Sequence, residues 1–234
     1  MYIDPNTNVA RGIAANLRAL FEKCTDADYI ELNGSVSCAA SFSDGHLELF
    51  FESSNGAEDW VNNLNFFSAP YKDMSPEWQA HRGFLNVWSY AKPYVREKLD
   101  GLPINSITLV GFSHGAAIAL LCHEFVWYNY PRYRESLQSF GFGCPRVLKD
   151  GEAIADIRNR WDTFFRVSNL DDFITHLPPE SFGFVHVGHL IEIGEKGRYS
   201  CYECPDLKAH HPISYRQVLD ELADGRSKTG ITLL

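Results

Sequence analysis

One short segment, residues 106–125, restricts the possible folds of this chain more than any other part of it. Ser106–Val110 has the composition of a short buried strand, and Ala116–Phe125 is an apolar helix. Between them the chain reads Gly-Phe-Ser-His-Gly, with Ser113 at the centre. A sharp strand-to-helix turn lifts the central side chain clear of the sheet, and the two glycines remove Cβ atoms that would clash. The segment therefore predicts an α/β sheet that presents Ser113 as a nucleophile.

The helix after this turn gives a second indication of chemistry. Its first backbone N–H groups point back toward the serine, and the positive end of the helix dipole favours a developing anion. We therefore expect the His114 amide to face the oxyanion of an acyl-transfer intermediate. A glycine-rich turn with an unreactive serine is the alternative interpretation, and the strand–turn–helix context argues against it.

The N-terminal part of the chain has the pattern of a helix followed by an antiparallel meander. Apolar residues recur at helical spacing over residues 9–23. Three short β-like runs follow, and the pairs Asn33-Gly34 and Asp44-Gly45 between them favour tight hairpin turns. The runs are Asp28–Leu32, Val36–Phe42 and Leu47–Phe51.

From residue 84 onward, predicted helices and strands alternate. The helices are Phe84–Leu99, kinked or interrupted at Pro93, Ala116–Phe125, Ile154–Arg160 and Ile213–Leu222. The strands are Ser106–Val110, Leu137–Phe142, Thr163–Val167, Phe182–Ile193 and Arg198–Cys201. This alternation predicts an α/β fold with a central mixed, mostly parallel sheet flanked by helices. For 234 residues with 45% hydrophobic composition we predict one domain, residues 1–234.

The charge of the chain limits its partners. The net charge of −9 at pH 7 repels nucleic acid and anionic membranes, so we expect neither as a partner. Neutral lipids and esters remain, because apolar surface recognises them. No apolar run reaches the about 18 residues of a membrane span, and no signal peptide is visible. We therefore expect no stable membrane insertion, and the localisation stays open between the cytoplasm and a mature secreted form.

The cysteines and the motif inventory do not indicate a metal or cofactor. Cys201 and Cys204 form one C-x-x-C pair without a second pair or a histidine partner at zinc-finger spacing. A local disulfide or two plain thiols is the preferred interpretation. The sequence also lacks an H-E-x-x-H motif. A serine nucleophile needs neither metal nor cofactor, and we predict none.

Four segments in the same order resemble the class 3 lipases, the fungal-type branch of the α/β-hydrolases. The segments are His81–Trp88, Leu109–Leu121, Ser139–Val147 and Arg166–Pro179. The resemblance covers roughly residues 45–220. It implies an α/β-hydrolase fold with a short lid segment, and a lipase or carboxylesterase that cleaves neutral, glyceride-type acyl esters.

The resemblance also implies the acid and the base of a catalytic triad. The acid falls on Asp172, three residues after Asn169, and Asp171 is the less favoured neighbour. The base falls on His210, whose spacing of five from a following tyrosine matches the family, but His211 remains an alternative that spacing cannot exclude. The order serine, aspartate, histidine is the one that α/β-hydrolases use. The other histidines after Asp172 are interpreted as structural, namely His176, His186 and His189.

The loop after the third early strand resembles the family's oxyanion loop and lid. By this match Ser54 supplies the second oxyanion donor, and Trp60 takes the place of the lid tryptophan. Residues 55–67 either form a short amphipathic lid that opens onto lipid or pack on the core. The sequence departs from the family at Glu52 and Ser53, where arginine and glycine are usual.

The residues around the nucleophile also differ from the family pattern. Phe112 and His114 replace the common histidine and leucine. Two further functions stay open. The altered Glu52-Ser53 loop leaves room for a catalytically inactive lipase-like binding module, and an acyltransferase would share the same acyl-enzyme and differ only in what intercepts it. For the enzyme we expect a small-molecule acyl ester or lipid as substrate, with transient contact to a lipid interface.

Overall fold

The computed structural model describes residues 1–32, 36–52, 66–74, 78–149, 158–198 and 208–234. The α-helices in these ranges are α1 (Asn8–Thr25), α2 (Arg82–Gly101), α3 (His114–Asn129) and α4 (Pro212–Ala223). The strands in the first half are β1 (Tyr2–Ile3), β2 (Ile30–Leu32), β3 (Val36–Ser43), β4 (His46–Phe51), β5 (Ser68–Pro70), β6 (Gln79–His81) and β7 (Ser106–Phe112). Those in the second half are β8 (Leu137–Phe142), β9 (Leu148–Lys149), β10 (Phe164–Asn169), β11 (Phe184–Val185), β12 (His189–Ile193) and β13 (Ile231–Leu233).

A nine-stranded sheet forms the centre of the fold, in the order β1-β13-β12-β10-β8-β7-β4-β3-β2. Its middle strands, β4, β7, β8, β10 and β12, are parallel, and antiparallel strands close both edges. A small antiparallel sheet, β11-β9-β6-β5, lies apart from it. The predicted mixed, mostly parallel sheet flanked by helices is therefore confirmed.

Helices cover the central sheet on both sides. The apolar cluster that includes residues of α2 and α3 fills one side, and the cluster that includes residues of α1 and α4 fills the other. Every residue of α3 from His114 to Val126 is buried, because this helix packs on the sheet and is covered by α2. No helix within the described ranges is long and apolar enough to cross a membrane. The organisation as a single domain stays a prediction.

The predicted N-terminal meander is present in β2, β3 and β4. Ser43 pairs with His46, so Asp44 and Gly45 form a two-residue hairpin loop. Their φ angles of 51° and 79° are the left-handed values that such a loop requires. The first predicted turn, Asn33-Gly34, lies outside the described residues.

Helix α2 runs through Pro93 without ending, so of the two predicted outcomes, a kink or an interruption, the interruption does not occur. A proline at this position leaves the carbonyl of Ser89 without its helical N–H partner. Both residues lie on the exposed side of the helix, where water can hydrate the carbonyl. The opposite side, which includes Trp88 and Val95, packs in the core and holds the helix in place.

The C-terminal half differs from the prediction in its short elements. The predicted strand Phe182–Ile193 is divided into β11 and β12, with Gly188 between them at φ 73°. A Cβ at Gly188 would lie 2.3 Å from the Phe164 carbonyl oxygen, so the chain approaches β10 too closely for a side chain. The predicted helix Ile154–Arg160 and strand Arg198–Cys201 fall mostly outside the described ranges.

Candidate active site

Ser113 occupies a strained turn between β7 and α3. Its φ and ψ of 56° and −120° are unusual for a residue with a side chain, and it is buried. A Cβ at Gly111 would lie 2.2 Å from the Gly115 oxygen, and one at Gly115 would lie 2.1 Å from the Phe51 oxygen. Both flanking glycines are therefore required sterically, as the sequence predicts.

The structure brings Ser113, His210 and Asp172 together from three distant parts of the chain. His210 lies in the loop before α4, and its Nε2 is 2.6 Å from Ser113 Oγ. Its Nδ1 lies 2.9 Å and 2.8 Å from the two carboxylate oxygens of Asp172, which follows β10. Because a carboxylate only accepts, Nδ1 donates to it and Nε2 is left to accept the serine proton. All three side chains are buried.

Further donors hold the Asp172 carboxylate. Its Oδ1 accepts the Ile174 backbone N–H at 2.9 Å, and its Oδ2 accepts the Tyr215 hydroxyl at 2.6 Å. Burial and the nearby carboxylate raise the pKa of Tyr215 well above its ordinary value, so the phenol stays protonated and remains a donor. A carboxylate with several donors keeps its charge and orientation in a buried site.

Tyr215 and Asn169 are the supporting residues to which sequence reasoning assigned no role. The Tyr215 hydroxyl accepts the Asn169 backbone N–H at 3.1 Å, and the Asn169 side-chain amide donates to the Ala209 carbonyl at 3.1 Å. These bonds tie the end of β10 to the loop that carries His210. The spacing between His210 and Tyr215 was visible in the sequence, but it gave no partner for the hydroxyl.

Asp171 and His211, the alternatives to the predicted acid and base, have hydrogen-bond partners outside the triad. Asp171 accepts the Gly197 backbone N–H at 3.0 Å. His211 is exposed and caps α4, with its Nδ1 accepting the Ile213 N–H at 3.2 Å. The geometry therefore places Asp172 and His210, rather than their neighbours, in line with Ser113.

The other histidines after Asp172 have contacts away from Ser113. His176 accepts a hydrogen bond from the Arg146 guanidinium through its carbonyl oxygen. His186 donates from Nε2 to the Thr175 carbonyl at 2.7 Å, and His189 stacks on Phe165. These positions agree with the predicted structural roles.

The candidate oxyanion donors are described only in part. His114 begins α3, so its backbone N–H has no acceptor in the preceding turn of that helix. Its imidazole is buried, and this desolvation, together with His81, lowers its pKa to about 4. Ser54, Trp60 and residues 55–65 of the predicted lid lie outside the described residues, as do Cys201 and Cys204. In the part of the chain that is described, no three His, Cys, Asp or Glu side chains converge as a metal ion would require.

The sequence matches the family model of Lipase (class 3) over residues 49–182. The lipase of Rhizopus niveus is 30% identical over 184 residues, which are 75% of this chain and 46% of that protein. The lipase of Rhizomucor miehei is 26% identical over 78% of this chain and 53% of its own length. The chain therefore spans about half the length of these curated relatives.

Solved structures of fungal lipases have the same fold. Lipase II from Rhizopus niveus superposes with a TM-score of 0.62 and 27% identity, over 72% of this chain and 65% of that one. The Rhizomucor miehei lipase propeptide complex superposes with a TM-score of 0.68 and 20% identity, over 91% and 80% of the two chains. The fold is thus that of the α/β-hydrolases, and the chain belongs to the class 3 lipase family.

Proposed function

We propose that this protein is a serine lipase or carboxylesterase that hydrolyses neutral acyl esters of the glyceride type. One observation carries the proposal: the continuous chain of hydrogen bonds from Ser113 Oγ through the His210 imidazole to the Asp172 carboxylate, with heavy-atom distances of 2.6 Å and 2.8 Å. This geometry is the one that proton transfer from a serine nucleophile requires.

In the acylation half of the reaction, His210 Nε2 takes the proton of Ser113 as Oγ bonds to the ester carbonyl carbon. The electron pair of the carbonyl moves onto its oxygen, which we expect the His114 backbone N–H at the start of α3 to stabilise. When this intermediate collapses, the bond to the alcohol oxygen breaks. The alcohol leaves with the proton from His210, and an acyl group remains on Ser113.

In the deacylation half, His210 takes a proton from water, and the resulting hydroxide bonds to the acyl carbon. Collapse then releases the carboxylic acid, and the proton returns to Ser113. In both halves the imidazolium forms beside the Asp172 carboxylate, whose charge stabilises it. By the family match, Ser54 supplies the second oxyanion donor in this proposal.

Exposed apolar residues close in sequence to Asp172 and His210 support an apolar, uncharged substrate. Phe173 directly follows Asp172, and Ile213 lies three residues after His210; both side chains are exposed. Phe182 is exposed as well and contacts Phe66, with ring centroids 4.9 Å apart. Exposed apolar groups that neighbour triad residues in the chain suit acyl chains or the surface of a neutral lipid, and the net charge of −9 disfavours anionic lipids.

The test is ester turnover by the purified chain, with p-nitrophenyl butyrate as a soluble ester and tributyrin as a glyceride. Ser113→Ala should reduce kcat by at least about 10⁴-fold without unfolding the protein, because the nucleophile is lost. Unchanged turnover in this variant would reject the assignment. Analysis of the products with an added alcohol acceptor separates hydrolysis from acyl transfer.

His210→Ala and His211→Ala form a matched pair for the base. The first should lose turnover as Ser113→Ala does. The second removes a helix cap, so it should lower stability by about 1 kcal/mol and keep most of the turnover. Equal losses of turnover in both variants would contradict the choice of His210.

A further inference from the structure

The residue before the nucleophile packs against the catalytic imidazole. The Phe112 ring lies nearly parallel to the His210 ring, with centroids 5.1 Å apart and an angle of 23° between the planes. Phe112 is buried at the end of β7. It stands where the class 3 lipase pattern commonly has a histidine, so in this sequence the ring that contacts His210 is a phenyl group.

The Phe112 ring is itself held by other aromatic side chains. Phe21 of α1 contacts it edge-on with centroids 5.5 Å apart, and Tyr215 of α4 does so at 5.5 Å. Phe142 supports Phe21 from β8, with centroids 4.9 Å apart. Because all four rings are buried, Phe112 cannot turn away from His210 without displacing this cluster.

We propose that Phe112 is a positioning residue that fixes the plane of the His210 imidazole and stabilises its protonated form. The role in catalysis rests on the proposed function, whereas the effect on the imidazolium does not. Asp172 holds only the Nδ1 edge of the ring and leaves its faces open. The Phe112 face presents the negative side of an aromatic quadrupole, which attracts a cation within about 6 Å.

None of the other described groups around His210 can replace this contact. Gly143 approaches the edge of the imidazole so closely that a Cβ there would lie 2.9 Å from Cε1, and it carries no side chain. The neighbouring Cys144 is neutral, because burial raises the pKa of its thiol to about 12. Among the described residues, Asp172 is thus the ionisable group bonded to the ring, with Ser113 as its hydroxyl partner and Tyr215 acting through the carboxylate.

The direct test replaces Phe112 with phenylalanine analogues that carry one, three or five ring fluorines. Fluorination weakens and then reverses the ring quadrupole with little change of shape. The midpoint of His210 protonation, followed by NMR of histidine labelled at ¹³Cε1, should move stepwise to lower pH by about half to one unit. His210→Gln identifies the resonance among the nine histidines. A midpoint that stays constant across the series would overturn the proposal.

Kinetics on the same variants connect this effect with catalysis. The acidic limb of the pH profile of kcat/KM should move in parallel with the NMR midpoint, and kcat should fall several-fold at nearly constant KM. If the NMR midpoint moves while the native protein shows no ester turnover, the proposed function fails and the imidazolium effect stands. If turnover is present and the midpoint does not move, the inference alone fails.

Phe112→Leu and Phe21→Leu separate the ring from its packing role. Both remove one buried aromatic side chain from the same cluster, but only Phe112 contacts His210. Phe112→Leu should lower the protonation midpoint, and Phe21→Leu should leave it in place with a similar loss of stability. Equal shifts in both would show that Phe112 acts through packing only. If Phe112→Leu does not fold, the fluorinated series still tests whether the Phe112 ring stabilises the protonated form of His210.

Discussion

The described part of the molecule contains two buried pairs of a serine hydroxyl and a histidine imidazole, and only one belongs to the proposed active site. Ser139 Oγ lies 2.7 Å from Nδ1 of His123, much as Ser113 Oγ lies 2.6 Å from Nε2 of His210. In each pair the other ring nitrogen donates to an oxygen, so the ring accepts from the hydroxyl. The two contacts are therefore chemically alike at short range.

The oxygen on the far side of each ring distinguishes the two pairs. His123 donates from Nε2 to the backbone carbonyl of Arg160 at 2.8 Å, whereas His210 donates to the carboxylate of Asp172. A carbonyl carries only a partial charge, and burial lowers the pKa of His123 to about 4, so this ring stays neutral. A full negative charge is what stabilises an imidazolium.

The backbone around each serine is the second difference. Ser139 lies within β8, paired on one side with Leu109 and on the other with Phe164, and its side chain is completely buried. Ser113 stands on the strained turn at the N-terminus of α3. A hydroxyl–imidazole contact is thus insufficient for a nucleophile, which also needs a carboxylate behind the ring and a turn that lifts the hydroxyl out of the sheet.

The largest loss of turnover should come from giving His210 a neutral hydrogen-bond partner like that of His123. Asp172→Asn gives His210 a neutral partner and should reduce kcat for a short-chain ester by about 10⁴-fold, since the imidazolium loses its counter-charge. Asp171→Asn is the matched control, because that carboxylate bonds to Gly197 and not to His210. A loss of less than tenfold in Asp172→Asn would remove the main distinction between the two pairs.

The next prediction concerns how the titration of His123 and Glu124 makes the free energy of unfolding depend on pH. The depressed pKa of His123 means that stability is lost as the pH falls from about 6.5 toward about 4. The adjacent Glu124 has its pKa raised to about 7 by burial, despite its ion pair with Arg160, so stability is lost as the pH rises from about 4.5 to about 7. The two effects oppose each other in their shared range.

Glu124→Gln removes one of these opposing effects. It should make urea stability fall more steeply between pH 6.5 and pH 4.5 than in the native protein, by up to about 3 kcal/mol over that range. The midpoint of unfolding at several pH values gives the measurement. Parallel curves for the two proteins would show that Glu124 does not titrate in this range.

A smaller effect should follow from removing the Ser139 hydroxyl. Ser139→Ala leaves Nδ1 of the buried His123 without its donor, which should cost about 1–3 kcal/mol of stability. Ester turnover per folded molecule should stay within about twofold of the native value, because the pair lies outside the proposed site. A large loss of turnover at full stability would assign the second pair a part in the reaction.

Among the substitutions around the triad, the smallest predicted loss of kcat is at Tyr215. Tyr215→Phe removes the donor to Asp172 and the acceptor of the Asn169 N–H, and should lower kcat about tenfold at similar KM. Tyr71→Phe removes another buried tyrosine hydroxyl, one that donates to the Leu121 carbonyl at 2.7 Å. Tyr71→Phe should lower the free energy of unfolding by about as much as Tyr215→Phe does, but leave kcat unchanged. The same fall in kcat for both would contradict a specific role for Tyr215.

Local patterns in the sequence predicted the parts of the fold and site that local sterics control. The turn at Ser113 follows from two glycines whose Cβ atoms would collide with backbone, and the Asp44-Gly45 loop follows from residues that accept positive φ. The edge strands β1 and β13 were missed, because they have two and three residues and pair across almost the whole chain.

Contacts between distant residues could not be read from spacing. His210 and His211 are adjacent, and only the cap of α4 and the position of Asp172 turn one inward and leave the other exposed. The stacking of Phe112 on His210 joins residues from β7 and the C-terminal loop, and no local motif encodes it. The same holds for His123 and Ser139, which lie on neighbouring elements without a signature.

Covalent labelling distinguishes Ser113 from Ser139 as the nucleophile. The folded protein is treated with a fluorophosphonate, and the adduct is located by peptide mass spectrometry. We expect one equivalent of label on Ser113, none on Ser139, and strongly slowed labelling in Asp172→Asn. Folded protein that takes up no label, or that carries it on a serine other than Ser113, would show that Ser113 is not the activated nucleophile.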